Sequence, residues 1–351
     1  MNNNIRYKQA KLYCFLLTAV IFLLSGCSQD DEVVLQDENS VVVPIEIGST
    51  EISQTKAIEN QPFTTNRVLI LPFKKINESI VANDDSNFAP DYNAARQYDI
   101  NNTTAYTGML NLTATSTYKV IVIGYNSNDY DFNNQSSPAN RFSIGAVTTP
   151  VTLANFHLQS TSATSVPEFF TGVCMSYAGA TATPNSPYFR PDQVTSLNLK
   201  ATLTRLVSGL NLQINNIPAY VTSVTLVAQQ LVKAVLPITG TGTVFQLAAD
   251  ADNLKTFGVK SPVAGSVAFN YYLLPTFSAH STKFYLDVKY AAYTERYTVN
   301  VPDLTNISSA SNITFTPNEV VTIVGNYSNI NFGFTINNSI NLDDNAWDGL
   351  H

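Results

Sequence analysis

A chain of 351 residues with 19 basic and 26 acidic side chains, a formal net charge of −7, does not have the basic surface of a nucleic-acid binder, and its length allows two domains of ordinary size. Charged residues make up only 13% of the chain and aromatic residues 11%, with Thr, Ser and Asn abundant, a composition that suits an extracellular β protein.

The first element is an apolar run, residues 12–24, preceded by Arg6, Lys8 and Lys11 and followed by Ser25, Gly26 and Cys27. A membrane span needs about 20 apolar residues, and this run is shorter and ends at small residues, so residues 1–26 read as a secretion signal with a lipoprotein cleavage box. Cys27 then begins the exported chain and is the predicted lipidation site. Several acyl tails, at roughly 0.8 kcal/mol per buried methylene, give stable anchoring to a membrane. Loss of residues 1–26 removes three basic and no acidic side chains, which moves the net charge from −7 to −10. It also removes Cys14, so with Cys27 acylated only Cys174 remains and no intrachain disulfide is expected. Cys174 lies in an apolar stretch and reads as a small buried hydrophobe.

Residues 27–56 form the lipidated N-terminal segment. It opens on the acidic cluster Asp30, Asp31 and Glu32, continues through a strand-like stretch at residues 41–47, and ends in a polar linker containing Thr55, Lys56 and Ala57. Beyond it the pattern is strand, turn, strand. A buried strand ended by proline is expected at residues 67–73, and others at 106–112, 118–125, 151–159 and 169–175. Between the first two lies a long polar excursion, residues 77–102, with one helical turn near residues 92–96. In residues 126–134, Asp129, Asp131 and Asn133 alternate as calcium ligands sometimes do. However, Asn134 stands where the glycine of such a loop belongs, and a hairpin loop is the better reading.

A proline-rich stretch ending near Pro191 marks the expected boundary between an N-terminal domain, residues 57–190, and a C-terminal domain, residues 191–351. The second half opens with strong alternation over residues 196–214 and continues with strands near 221–231, 267–274, 282–290, 293–301 and 320–324. Residues 293–297 pair as a hairpin with 284–288. The tail alternates again at Ile330, Phe332, Phe334 and Ile336, then at Ile340 and Leu342.

Nothing in this pattern argues for an enzyme, a cofactor or a metal. The histidines, His157, His280 and His351, lie far apart, no serine occupies a nucleophile elbow, and no glycine-rich phosphate loop follows a strand. Acidic pairs such as Asp84-Asp85 and Asp343-Asp344 fall in polar segments, where solvated loops are the default.

Taken in order, several segments resemble the fimbrillin family, the subunits of type V pili in the Bacteroidota. They are the lipoprotein box, Thr55-Lys56-Ala57 ahead of a core strand, Thr204-Arg205-Leu206-Val207-Ser208-Gly209-Leu210, Phe315-Thr316-Pro317-Asn318-Glu319, and Trp347 near the C-terminus. The resemblance implies an all-β chain of two tandem transthyretin-like β-sandwich domains. It implies export to the cell surface as an outer-membrane lipoprotein, and proteolytic processing between Lys56 and Ala57, where the best-known family pattern has arginine in place of lysine. It also implies assembly with other pilus subunits by strand exchange and a part in adhesion, with residues 332–342 as the donor-strand candidate. The alternative is a β-sandwich surface lipoprotein that binds glycans, with Tyr125, Tyr130 and Phe132 as a sugar platform.

Overall fold

The computed structural model describes residues 39–49, 65–100, 105–135, 140, 142–146, 148–159, 166–178, 186–193, 197–237, 243–246, 254–276, 281–302, 309–310, 312–329 and 335–341. Among these, no helix of seven or more residues occurs, and the chain is an all-β sandwich protein.

The first part of the chain builds one large sheet. Its strands are β1 (Ser40–Ser49), β2 (Arg67–Lys75), β3 (Phe88–Pro90), β4 (Arg96–Asp99), β5 (Ala105–Thr113) and β6 (Tyr118–Tyr125). Every residue of β6 is buried, and so is most of β2, as expected for strands covered on both faces. One face of β2 and β6 carries Val68, Ile70, Val120 and Val122, and the other carries Leu69, Leu71, Ile121 and Ile123, so the two strands serve two different cores.

Proline does not end β2, as the sequence led us to expect. The strand runs through Pro72 to Lys75 because its outer edge is shared: β4 pairs with residues up to Ile70, β3 begins at Phe73, and Pro72 falls in the gap. Its missing N–H is therefore not required by either ladder, while its carbonyl accepts from the Asp91 amide at 2.8 Å. Of the helical turn expected near residues 92–96, residues 92–94 form a turn between β3 and β4, and Arg96 already begins β4.

Residues 142–159 form three short strands, β7 (Phe142–Ser143), β8 (Gly145–Ala146) and β9 (Thr149–Pro150), then a 3-10 turn at Leu153–Asn155 and β10 (His157–Gln159). The strand expected over residues 151–159 is thus real only at its last three residues. β11 (Phe170–Val173) and β12 (Met175–Ala178) both pair antiparallel with β13 (Leu197–Arg205). Gly172 sits where the two backbones close in: a Cβ there would lie 2.5 Å from the Thr202 carbonyl oxygen. The strand order is β3-β2-β6-β11-β13-β1-β5, with β4 and β12 off that path. β13 belongs to this sheet although the alternation of residues 196–214 reads as a single stretch of the second half.

After Leu206 and Val207 the chain enters a second arrangement. Its strands are β14 (Ser208–Asn215), β15 (Val221–Gln229), β16 (Ala234–Leu236), β17 (Thr243–Gln246), β18 (Lys255–Lys260), β19 (Val267–Leu273), β20 (Thr282–Tyr290), β21 (Thr294–Thr298), β22 (Val301–Pro302), β23 (Ser309–Ala310), β24 (Asn312–Ile313), β25 (Glu319–Asn326) and β26 (Thr335–Asn341). Two sheets face each other, one ordered β19-β14-β25-β26 and the other β18-β15-β20-β21 with β24. Leu210, Leu212 and Ile214 of β14, with Phe269 and Ile323, pack against Val224 and Leu226 of β15 and Phe284, Leu286 and Val288 of β20. Burial alternates along β20, as in a strand with one face on a core. The hairpin of β20 and β21 has the expected partners, Leu286 opposite Tyr297 and Val288 opposite Glu295. A smaller sheet, β17-β16-β10-β7, joins the two parts. Its Phe142, Leu158 and Val235 pack in one core with Leu69 and Ile121 of the first sheet and Tyr272 and Val320 of the second arrangement.

Candidate functional site

The strand expected at residues 41–47 is β1, and its position in the sheet makes it the candidate site. Val43, Ile45 and Ile47 are buried at 1%, 0% and 3% exposure, whereas Val41, Val42 and Glu46 are exposed. β1 runs parallel to β13, with Ile45 opposite Leu199 and Ser49 opposite Leu203, and β5 lies on its other side. The β13 ladder starts at Ile45, directly after Pro44, so the proline removes no bond from it. The three buried side chains share a core with Leu110 and Leu112 of β5, Leu199 and Leu203 of β13, Val68 and Ile70 of β2, and Cys174. On the outer face Glu46 meets Lys200, its register partner, at 3.2 Å, an exposed pair that contributes little.

Without β1, the backbones of β13 and β5 would each present an unpaired edge beside three apolar pockets. The other predicted site residues, Cys27, Lys56 and Ala57, lie outside the described residues. So do His280, His351, Trp347 and the ends of the tail, though its middle is β26, which pairs antiparallel with β25.

A second feature emerges where two of the short sequence motifs meet. Arg205, the last residue of β13, donates from Nε to Glu168 Oε1 at 2.8 Å, and both side chains are fully buried. Its Nη1 donates to Asn318 Oδ1 at 3.1 Å, and its Cζ lies 5.0 Å from the centroid of the Phe170 ring. Tyr272 of β19 donates its hydroxyl to the same Glu168 oxygen at 3.3 Å. Asn318 itself has φ of 61°, a left-handed conformation that Asn tolerates, and its amide donates to the Val207 carbonyl at 3.0 Å. The Ser208 hydroxyl donates to the Thr316 carbonyl. The segments 204–210 and 315–319 therefore form a single polar junction between β13 and the second pair of sheets. The motif spelling pointed to these residues; the partner Glu168 carried no sequence signal.

Solved structures similar to this chain include a candidate adhesin from Bacteroides ovatus, at 12% identity with a TM-score of 0.48, covering 78% of this chain and 87% of that one. The fimbrial anchor protein Mfa2 from Porphyromonas gingivalis is similar at 13% identity with a TM-score of 0.42, covering 81% of this chain and 91% of that one. The tip fimbrial protein Mfa3 from Porphyromonas gingivalis, truncated at its C-terminus, is similar at 8% identity with a TM-score of 0.35, covering 81% of this chain and 94% of that one. These are fimbrial and adhesin proteins, the class that the sequence motifs resemble. At such identities and scores the likeness carries no functional weight by itself. No family model and no curated protein matches the chain.

The remaining sequence candidates resolve into structure. Tyr125 and Tyr130, offered as a sugar platform, are buried at 0% and 2% exposure. Tyr130 stacks on Phe142 with centroids 3.8 Å apart, Tyr125 meets Phe142 edge-on at 5.3 Å, and Phe132 packs against the same core. Their faces are spent on one another, which corrects the platform reading at these positions. In the loop that follows β6, Asp131 Oδ1 accepts from the Asn133 amide at 2.9 Å and Asn140 Oδ1 accepts from the Asp131 amide at 3.0 Å, so the polar side chains serve turn geometry. Among the described residues no group of three or more His, Cys, Asp and Glu gathers as a metal site would require. Cys174 is free and buried, and burial pushes its thiol well above its ordinary range, the state of an inert core residue.

Proposed function

We propose that this chain is a subunit of a cell-surface pilus that contributes to adhesion, made as an outer-membrane lipoprotein and assembled by strand exchange once β1 has been removed. In this reading Cys27 carries the acyl chains, cleavage between Lys56 and Ala57 frees β1, and residues 332–342 of another copy enter the vacated slot between β13 and β5. In this reading the chain is two tandem β-sandwich domains, the first extending through β13 and holding the slot. The observation that carries the proposal is the position of β1. It precedes the proposed cleavage site, lies inside the sheet order, and fills the core with three alternate side chains, as a removable cover would.

N-terminal sequencing and intact-mass analysis of filaments sheared from cells test the proposal. Filament protein is expected to begin at Ala57 and the cell-bound precursor at acylated Cys27. Filaments composed only of chains that start at Cys27 would overturn release of β1.

A further inference from the structure

We infer that the end of the second sandwich formed by Tyr220, Tyr290, Tyr293, Tyr297 and Tyr327 is a carbohydrate-binding platform for a neutral glycan chain. This goes beyond assembly and does not depend on it. Tyr290 is the last residue of β20 and is buried at 8% exposure, closing the core at this end. Its ring runs near-parallel to that of Tyr220, 24° apart with centroids at 6.1 Å, and to that of Tyr293, 28° apart with centroids at 4.5 Å. The two outer rings are 63% and 60% exposed. A plug for the core needs Tyr290 alone. Stacking two further rings on it and leaving them in water is the arrangement of a surface prepared for contact.

The stack is rigid and has a polar rim. Tyr293 is fixed by the turn in which the Tyr290 amide donates to the Tyr293 carbonyl at 2.8 Å. Tyr220 immediately precedes β15, and the neighbouring Thr222 hydroxyl donates to the Lys289 carbonyl at 3.0 Å, which ties that strand to β20. The Tyr290 hydroxyl lies 2.7 Å from that of Tyr327 and 3.1 Å from that of Tyr297, and the Tyr297 hydroxyl donates to Glu295 Oε2 at 2.6 Å. Burial pushes Tyr290 up to about 12, so its hydroxyl stays neutral at physiological pH.

Two exposed rings flanked by hydroxyls and one carboxylate match the chemistry of a pyranose. The electron-rich faces take its C–H surface, and the rim exchanges hydrogen bonds with its hydroxyls. Glu295 and the acidic balance of the chain disfavour anionic glycans and nucleic acids. The platform is open, which suits an extended oligosaccharide lying across it better than an enclosed monosaccharide.

The test uses residues 27–351 with Cys27→Ser, outside any filament, so that failure of filament assembly does not touch it. Cellohexaose, xylohexaose and laminarihexaose are titrated in by calorimetry, with oligogalacturonate as the anionic control. At least one neutral hexaose is expected to bind and the control not to. Tyr220→Ala and Tyr293→Ala should each weaken binding about three- to tenfold, and the double variant should abolish it. Tyr220→Phe and Tyr293→Phe should retain most of it, and melting temperature should hold throughout because both rings are exposed. Absence of binding to all three neutral hexaoses would overturn the inference, as would a double alanine variant that binds like the parent. Loss of self-association in the double variant, with no glycan binding by the parent, would reassign the rings to a contact between copies and equally overturn it.

Discussion

Removing β1 is expected to uncover Cys174, and the size of the effect follows from what β1 buries. Val43, Ile45 and Ile47 lie in the same core as Cys174, each almost fully enclosed. Full burial of such side chains stabilises by about 1.5–3 kcal/mol each, or about 5–9 kcal/mol for the three. If opening of this core becomes easier by that amount, at about 1.4 kcal/mol per factor of ten, labelling of the thiol should speed up at least about a thousandfold. Residues 27–351 lack Cys14, and Cys27→Ser leaves no other thiol, so the reagent reports one position. The measurement compares Ellman's-reagent labelling at pH 8 in residues 27–351 with that in residues 57–351, then repeats the second with a synthetic peptide of residues 40–49. Labelling should be slow, then fast, then slow again in proportion to peptide concentration, as expected when a ligand binds only the closed form. Equal rates in the two chains, within about tenfold, would mean that β1 is no cover and would refute the reasoning.

Two further outcomes follow from buried groups. Arg205→Ala leaves the Glu168 carboxylate charged in a fully buried site and should cost about 3–5 kcal/mol in urea unfolding, with the Arg205→Met, Glu168→Leu pair recovering much of the loss. Alkaline pH should also destabilise the chain: desolvation pushes Tyr92 and Tyr290 up to about 12. Unfolded tyrosines ionise near 10, so the stability these groups contribute is complete below about pH 10 and is lost as pH rises toward about 12. Urea midpoints measured across that window, alongside absorbance at 295 nm, should fall as pH increases.

The strands that could be read from sequence are those whose side chains are sorted by a core. β6 occupies residues 118–125 as expected because an unbroken apolar run has one solution when both faces are covered, and β20 with β21 follows from alternation. β18 escaped notice because only Phe257 of its six residues is buried, so no period of two reaches the sequence. β4 lies hidden in a polar excursion for the same reason, none of its residues being buried, and β3 alternates but is only three residues long. Alternation identifies a strand without naming its neighbour, which is why β13 reads as part of the second half while hydrogen-bonding to β1, β11 and β12. The site was legible to a similar depth. Residues 41–47 could be recognised as a strand, but the slot depends on β5 and β13, distant in the chain. Arg205 stood out in a motif, while its partners Glu168 and Asn318 lie 37 and 113 residues away. The five tyrosines are scattered from 220 to 327, and only the fold gathers them.

The pairing pattern bears on what would drive the proposed exchange. β26, which holds the middle of the donor candidate, stands at the end of its sheet and pairs with β25, whereas β1 lies between β13 and β5. Replacing β1 by a donor breaks the two ladders of β1 and the one of β26, and makes two. Backbone hydrogen bonding alone therefore opposes the exchange by one ladder, and the surplus must come from side chains. Here the sequences differ in the right direction: Phe332, Phe334, Ile336, Ile340 and Leu342 offer more apolar volume than Val43, Ile45 and Ile47. Even so, an intact β1 is tethered to its own slot at high effective concentration, and no donor from another chain competes with that. Cleavage at Lys56 would turn the tether into an ordinary bimolecular equilibrium, with β1 lost to dilution and to the membrane. In the proposed assembly the cut, rather than the affinity of the donor, is the step that decides when subunits join.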